Sequence, residues 1–223
     1  KHYSKVKLPY KINGEMQHGW NPNNGIPGHI SLHTNQSKKK RYYLWNNRNL
    51  KQAIKDGFQN ILCIGAPFIY LYDEYNPKKE ILSNSLILFP LHSVKNEEYY
   101  DIIKSYKNYL KQIKNIKHRF QKISVSLYWD DYKNKDVVDL FTNQNMDVYC
   151  MGLREKEPNF LKNFIDIVGS YEYVSSDSYS SAIFYSLYMR KKVFLYGKSM
   201  LSELDIRSND QSFQSEFDNN IPK

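Results

Sequence analysis

From Ser85 onward, short apolar segments alternate with longer amphipathic ones, and this alternation constrains the fold more than any other feature of the chain. The segment from Glu98 to Phe120 shows it best, because its Ile, Leu and Tyr side chains recur at the spacing of one helical face and lysines fill the other. Strands that are separated by crossover helices form parallel sheets with right-handed connections. The pattern therefore predicts an α/β fold, with a Rossmann-like parallel sheet flanked by helices.

The same periodicity predicts the other elements. Strands are predicted at Ser85 to Pro90, Ile123 to Tyr128, Asp147 to Met151, Tyr171 to Ser175 and Lys192 to Tyr196. Helices are predicted at Glu98 to Phe120, Asp131 to Gln144, Pro158 to Val168 and Ser180 to Arg190. Upstream, weaker signals predict strands at Gly14 to Trp20, Arg41 to Trp45 and Asn60 to Ile64, and a helix at Arg48 to Asp56.

These signals divide the chain into three parts. Residues 1–75 form a partial N-terminal α/β portion, and residues 80–200 form a complete Rossmann-like domain. The most plausible linker between them is Asn76 to Lys79, and residues 201–223 form a C-terminal helix or tail.

The composition favours a globular protein that meets an anionic partner. Hydrophobic residues make up 41% and aromatic residues 15% of the chain, which argues against disorder. A formal charge of +9 favours nucleic acid, a phosphorylated substrate or an acidic membrane surface, unless the lysines only reflect a biased composition. Cys63 and Cys150 lie in apolar runs and are predicted to be buried, reduced thiols, and no residues have the spacing of metal ligands.

No apolar run approaches the roughly 20 residues that span a bilayer, and no signal peptide is visible. We therefore expect a cytoplasmic protein, and the basic surface leaves peripheral contact with the inner face of the plasma membrane open.

A hydroxyl-rich turn runs from Ser175 to Ala182. It connects the predicted strand at Tyr171 to Ser175 with the last predicted helix. The first N–H groups of a helix have no partner within it, so serine hydroxyls beside them make a ready anion site. Ser178, Ser180 and Ser181 are therefore candidates to bind a phosphate of a nucleotide-linked donor. The alternative is that Ser180 or Ser178 is simply an N-cap.

Other candidates follow from the rule that open α/β sheets bind ligands at the carboxyl ends of their strands. Gly152 follows one such strand, and His92 and Ser93 follow another, where the imidazole can stabilise a leaving phosphate unless Ser93 only caps a turn. His18 precedes an Asn-, Gly- and Pro-rich loop and is a candidate general base, or a structural histidine. No glycine-rich dinucleotide or P-loop motif is present.

The order of four motifs carries a resemblance: His18-Gly19, Gly65-x-Pro67, His92 after a strand, and Asp177 to Ser181 before a helix. In this order they resemble the CDP-glycerol glycerophosphotransferases and, more widely, bacterial capsular and lipopolysaccharide glycosyltransferases, over residues 14 to 197. The resemblance implies the GT-B fold, with a complete C-terminal half at residues 80–200 that binds the nucleotide donor and a partial, acceptor-side N-terminal half at residues 1–75.

The resemblance also implies roles for individual residues. His18 would act as base on an acceptor hydroxyl, His92 and the Ser180/Ser181 pair would hold the donor phosphates, and Asp177 would orient the serine turn. The activity would be an inverting, metal-independent transfer without a cofactor, from a nucleotide-sugar or CDP-glycerol donor of the CMP, CDP or UDP type. The acceptor would be a glycan or a lipid-linked molecule of capsule, lipopolysaccharide or teichoic-acid-type synthesis.

Two other functions remain open. One is a nucleotide-sugar epimerase of the same fold. The other is a non-enzymatic protein that binds nucleic acid or an anionic polymer through Lys40 to Trp45, although nucleic acid is not the favoured partner. The pair Asp130-Asp131 is expected to cap the helix that follows it rather than to bind a metal.

Overall fold

A computed structural model describes residues 13–17, 19–20, 38–75, 77, 79–92, 102–154 and 156–197. Its N-terminal part is a three-stranded parallel sheet with the order β1-β2-β3. The elements are β1 (Glu15–Met16), β2 (Arg41–Leu44), helix α1 (Asn47–Lys55), β3 (Asn60–Cys63) and helix α2 (Pro67–Tyr75). Asn46 starts α1 because its side chain accepts a hydrogen bond from the Asn49 N–H. We call this part the small sheet.

A five-stranded parallel sheet follows, which we call the large sheet. Its strands are β4 (Leu82–Leu88), β5 (Lys122–Leu127), β6 (Asp147–Cys150), β7 (Tyr171–Ser176) and β8 (Lys192–Leu195). The helices are α3 (Ile102–Lys117), α4 (Trp129–Tyr132), α5 (Lys135–Thr142), α6 (Phe160–Gly169) and α7 (Ser181–Tyr188).

The strand order of the large sheet is β6-β5-β4-β7-β8, so the chain moves outward from β4 to one edge and then crosses back to β7. The direction of winding reverses between β4 and β7. This order is compatible with a Rossmann-like fold. The prediction of an α/β fold with parallel strands flanked by helices is confirmed.

The core of the large sheet lies on both of its faces. Leu86 and Leu88 of β4 pack with side chains of α3 and α5 on one face. Ile87 points to the other face and packs with side chains of α6 and α7. A central strand that is covered on both sides reads as a continuous apolar run, which is why β4 was visible in the sequence.

Helix α2 joins the small sheet to the large one. The fully buried Phe68 ring stacks on Tyr185 of α7 with a centroid distance of 4.0 Å and an interplanar angle of 6°. It also meets the Phe164 ring of α6 edge to face at 5.8 Å. The Tyr188 hydroxyl donates a hydrogen bond to Asp73 of α2 at 2.8 Å. These contacts make α2 part of the second core of the large sheet.

The helix predicted at residues 131–144 begins earlier and is interrupted. Helix α4 ends at Tyr132 and α5 starts anew, because the Asn134 side chain caps α5 by accepting from the Asp136 N–H. The prediction that Asp130-Asp131 caps the following helix is therefore wrong. Asp131 is instead buried and accepts a hydrogen bond from the Tyr106 hydroxyl at 2.8 Å.

The prediction that Cys63 is buried is also wrong. Cys63 is exposed and Cys150 is half-buried. Among the described strands, β3 pairs only with β2, so it is an edge strand, and its Leu62 side chain is 48% exposed as well. An apolar run does not by itself distinguish a covered strand from an edge strand.

Several predictions fall outside the described residues. They include two residues of the expected linker, Asn76 and Lys78, and the expected tail at residues 201–223. Within the described ranges, no helix is both long enough and apolar enough to cross a membrane.

Candidate functional site

A cavity of about 550 Å³ lies at the carboxyl edge of the large sheet, where the strand order reverses between β4 and β7. The loops that follow β4, β5, β6 and β7 form most of its wall. Met16, Gln17, Trp45 and Pro67 of the N-terminal part and side chains of α6 form the rest. Its place is the one where open α/β sheets bind ligands, and its size is typical of a small-molecule site.

The turn between β7 and α7, which forms one wall, is bonded to the loop that leaves β4. The Ser176 hydroxyl donates to the Phe89 carbonyl at 2.5 Å and accepts from the Ser178 N–H at 3.2 Å. A carboxylate oxygen of Asp177 accepts a hydrogen bond from the Leu91 N–H at 2.8 Å. Asp177 therefore connects the serine turn to the loop that carries His92.

Ser180 occupies the N-cap position of α7, with φ −150° and ψ 168°, but its side chain makes no capping hydrogen bond. Its hydroxyl is buried and has no hydrogen-bond partner among the described residues. Buried polar groups are almost always paired, with protein, water or a ligand. The alternative in which the Ser180 side chain serves only as an N-cap therefore does not account for its hydroxyl.

Ser181, the first residue of α7, contacts a distant part of the chain. Its Oγ accepts a hydrogen bond from the Trp20 N–H at 2.8 Å, and the Trp20 ring stacks on Phe184 with centroids 4.7 Å apart. Gly19 lies against the same hydroxyl, since a Cβ there would stand 3.3 Å from the Ser181 Oγ. The predicted site residues His18 and Ser93 both lie outside the described residues.

Gln17 ties the ends of two strands of the small sheet to the cavity. It is 1% exposed, and its side-chain oxygen accepts from the Trp45 N–H at 3.0 Å. Its side-chain amide donates to the Gly19 carbonyl at 2.7 Å. The buried amide thus fixes the chain at the part of the cavity wall that Gln17 and Trp45 form.

His92 is exposed at the cavity wall and stacks on Tyr128, with ring centroids 4.2 Å apart and an interplanar angle of 22°. The neighbouring Trp129 ring carries the Lys133 ammonium at 3.8 Å from its centroid. The exits of β4 and β5 therefore present an aromatic surface at the cavity, of the kind on which planar ligands stack.

Gly152 lines the cavity after β6 and has a φ of +92°. A Cβ there would lie 2.8 Å from Glu157 side-chain atoms, so the turn requires glycine. This turn brings Arg154 to the cavity wall. Arg154 was not predicted as a site residue, although it directly follows the loop after β6, at the carboxyl edge where open α/β sheets bind ligands.

Tyr185 of α7 was also missed. Its ring is held between α2 and α6, and burial raises the pKa of its phenol to about 12, against smaller opposing effects of the Arg154 charge and the nearby Ser181 hydroxyl. Tyr185 is therefore neutral at physiological pH and can donate a hydrogen bond. In the sequence it is one apolar position of a helix among others, so no signal marked it.

The charges around the cavity favour an anion. The described lining residues include Arg154 and His92 and no Asp or Glu. Asp177 belongs to the turn but is buried outside the cavity wall. The pKa of the Tyr109 phenol is raised, mainly by the burial of that phenol and to a smaller extent by the charge of Asp177. The hydroxyl groups of the serine turn and the Arg154 guanidinium therefore form a wall that supplies hydrogen-bond donors.

The described residues contain no group of three or more His, Cys, Asp or Glu side chains that could hold a metal ion. Comparison with protein-family models, with curated proteins and with solved structures gives no match for this chain. The function is therefore argued from the geometry and chemistry of the cavity.

Proposed function

We propose that the protein is a GT-B-type glycosyltransferase or glycerophosphotransferase that binds a nucleotide-activated donor in this cavity and acts in bacterial surface-polysaccharide synthesis. One observation carries the proposal: Ser178, Ser180, Ser181 and Arg154 line a cavity at the reversal of the strand order, and no carboxylate is among its described lining residues. This combination favours a ligand that carries phosphate.

In this proposal the donor phosphates lie against the turn between β7 and α7. The Ser180 hydroxyl, which has no partner among the described residues, donates to a phosphate oxygen. The first N–H groups of α7 add to the same binding. Arg154 follows the Gly152 turn after β6 and adds a positive charge to the wall beside the phosphates. His92 stands at the exit of β4, beside the phosphate that leaves in the reaction.

The nucleobase of the donor stacks on the aromatic part of the wall. Tyr128 and Trp129 at the exit of β5 belong to the lining, together with Phe160 and Leu161 of α6. Stacking of a base on an aromatic side chain contributes about 1–3 kcal/mol, and every base has a face that can stack. This part of the site therefore adds affinity for a nucleotide over inorganic phosphate.

The transfer itself follows from the resemblance. His18 takes the proton of an acceptor hydroxyl, and the oxygen forms a bond to the anomeric carbon of the donor sugar. The bond from that carbon to the nucleotide phosphate breaks, and the nucleotide leaves with the electron pair. Hydrogen-bond donors of the serine turn and Arg154 offset the charge that develops on the leaving phosphate. The reaction is inverting and independent of metal ions.

The alternative function, binding of nucleic acid or an anionic polymer, rested on the segment from Lys40 to Trp45, and the burial of that segment does not support it. Within Lys40 to Trp45, Tyr42 and Leu44 are fully buried, and Trp45 lies in the wall of the cavity. Lys40 forms an ion pair with Glu15. Tyr43 is the one aromatic residue of this segment that is neither buried nor in the cavity wall, and it is half-buried. The segment therefore presents no row of exposed rings on which bases could stack.

Calorimetric titration with CMP, CDP, UDP and GDP tests the proposal, on the unmodified chain and on Ser180→Ala. Ser175→Ala is the matched control, because the Ser175 hydroxyl is also buried without a partner among the described residues but is not part of the lining. We expect one nucleotide family to bind, Ser180→Ala to weaken it about tenfold and Ser175→Ala to leave it unchanged.

Absence of binding by every nucleotide and nucleotide-sugar would overturn the proposal. Equal effects of the two serine variants would remove the turn from the site. Incubation with the donor alone separates the epimerase alternative, since a transferase without acceptor only hydrolyses the donor slowly, whereas an epimerase releases a different sugar.

A further inference from the structure

The hydroxyl of Tyr185 lies where a ligand in the cavity can reach it. The Tyr185 ring stacks on Phe68 at 4.0 Å and meets Phe164 edge to face at 5.6 Å, so its position is fixed by two helices besides its own. The side chain is part of the cavity lining. A phenol whose ring is held in this way presents its hydroxyl with little conformational freedom to lose on binding.

Two hydroxyls of α7 in the cavity wall, those of Ser181 and Tyr185, have protons to donate. The Ser181 Oγ accepts a hydrogen bond from the Trp20 N–H at 2.8 Å, which leaves the proton of that hydroxyl for another acceptor. No acceptor for the Ser181 or the Tyr185 hydroxyl proton is found among the described residues.

The surroundings determine what that acceptor is. Arg154 lines the cavity together with Tyr185, and no Asp or Glu is among the described lining residues. An acceptor that enters this environment is stabilised if it is anionic. A hydrogen bond from a neutral hydroxyl to a charged oxygen is also stronger than one to a neutral oxygen.

We propose that Tyr185, acting with Ser181, is a ligand-binding residue that donates a hydrogen bond to a phosphate oxygen of the donor. This inference rests on the proposed function, and it adds to the site a residue that no sequence motif marked. The contact couples the N-terminal part to the donor, because Ser181, which lines the same cavity, accepts a hydrogen bond from the Trp20 N–H.

The test compares Tyr185→Phe with Tyr188→Phe by calorimetric titration with the nucleotide that the unmodified chain binds best. Tyr185→Phe keeps the ring and its stacking on Phe68 and removes only the hydroxyl. Tyr188 is the matched control, because it lies one turn further along α7, is 40% exposed and bonds Asp73 outside the cavity. We expect Tyr185→Phe to weaken binding about tenfold and Tyr188→Phe to leave it unchanged.

A second readout separates ligand contact from a structural role. The nucleoside that lacks phosphate competes for the same site, and its weaker affinity, measured by displacement of the bound nucleotide, is expected to be the same in Tyr185→Phe and the unmodified chain. Unchanged nucleotide affinity in Tyr185→Phe would overturn this inference and leave the proposed function standing. An equal loss for nucleoside and nucleotide would overturn it as well, since the hydroxyl would then not contact phosphate. Failure of the unmodified chain to bind any nucleotide would overturn both.

Discussion

The two sheets of the protein differ in how they are held together. The large sheet has apolar clusters on both faces, and its central strand is buried from Ser85 to Leu88. The small sheet has one cluster, formed by Tyr42, Leu44, Ala53 and Phe58, and its edge strand exposes Leu62. The cavity belongs mainly to the large sheet, and the small sheet adds a wall through Gln17 and Trp45.

The difference indicates that the small sheet depends on the large one. A sheet of three short strands with one small core is marginal by itself. Its stability comes in part from α2, whose Phe68 packs into the second core of the large sheet. We therefore expect the large sheet, which forms most of the cavity wall, to be more stable towards local unfolding than the small sheet, which forms the rest of the wall.

The largest effect tests this dependence. Phe68→Ala removes a fully buried ring at the junction, and we expect the free energy of unfolding to fall by about 3–5 kcal/mol in urea denaturation. Phe141→Ala is the matched control, because it removes an equally buried ring from the other core of the large sheet and should lower the unfolding free energy by a similar amount. Only Phe68→Ala should accelerate amide exchange at Tyr42 to Leu44 relative to Leu86 to Leu88.

An equal pattern of exchange in the two variants would contradict the dependence of the small sheet on the junction. The exposed Leu187 of α7 offers a further control, since Leu187→Ala removes a side chain of similar type from the surface and should change stability by less than about 0.5 kcal/mol.

A smaller effect is expected at the bond between the serine turn and the β4 loop. Asp177→Ala leaves the Leu91 N–H without its acceptor, and we expect a loss of about 2 kcal/mol in unfolding free energy together with weaker nucleotide binding. Asp177→Asn keeps an acceptor oxygen and should recover most of the stability. If Asp177→Ala unfolds like the unmodified chain, the bond does not hold the two loops together.

The smallest effects on stability are expected at the two buried serines that differ in their relation to the cavity. Removing a hydroxyl that has no partner costs little, so Ser180→Ala and Ser175→Ala should each change the unfolding free energy by less than about 0.5 kcal/mol. A large loss for Ser180→Ala alone, measured in urea, would show that its hydroxyl stabilises the fold rather than a ligand.

Much of the large sheet could be predicted from the sequence, because its strands and helices follow local periodicities. Leu86 to Leu88 reads as a buried strand, and α3 shows one apolar face. Helix α2 was not recognised, because its run of Phe, Ile, Tyr and Leu residues is equally typical of a strand. Its helical state depends on packing against α6 and α7, which no local pattern reveals.

The candidate site was predictable to a lesser extent. The strand exits pointed to His92, Gly152 and the serine turn, and the described members of that set line the cavity except Ser175 and Asp177. Arg154 and Tyr185 were missed. The contact between Trp20 and Ser181 joins residues 161 positions apart, and such a contact depends on the tertiary fold alone.

Amide chemical-shift mapping during titration with the tightest-binding nucleotide shows directly whether its phosphates bind at the turn between β7 and α7. We expect the largest shifts on Ser178 to Ala182 and on Gly152 to Arg154, with little change at the opposite edge of the sheet near Leu82. Shifts spread over the lysines of α3, or no shifts at all, would contradict binding at this turn.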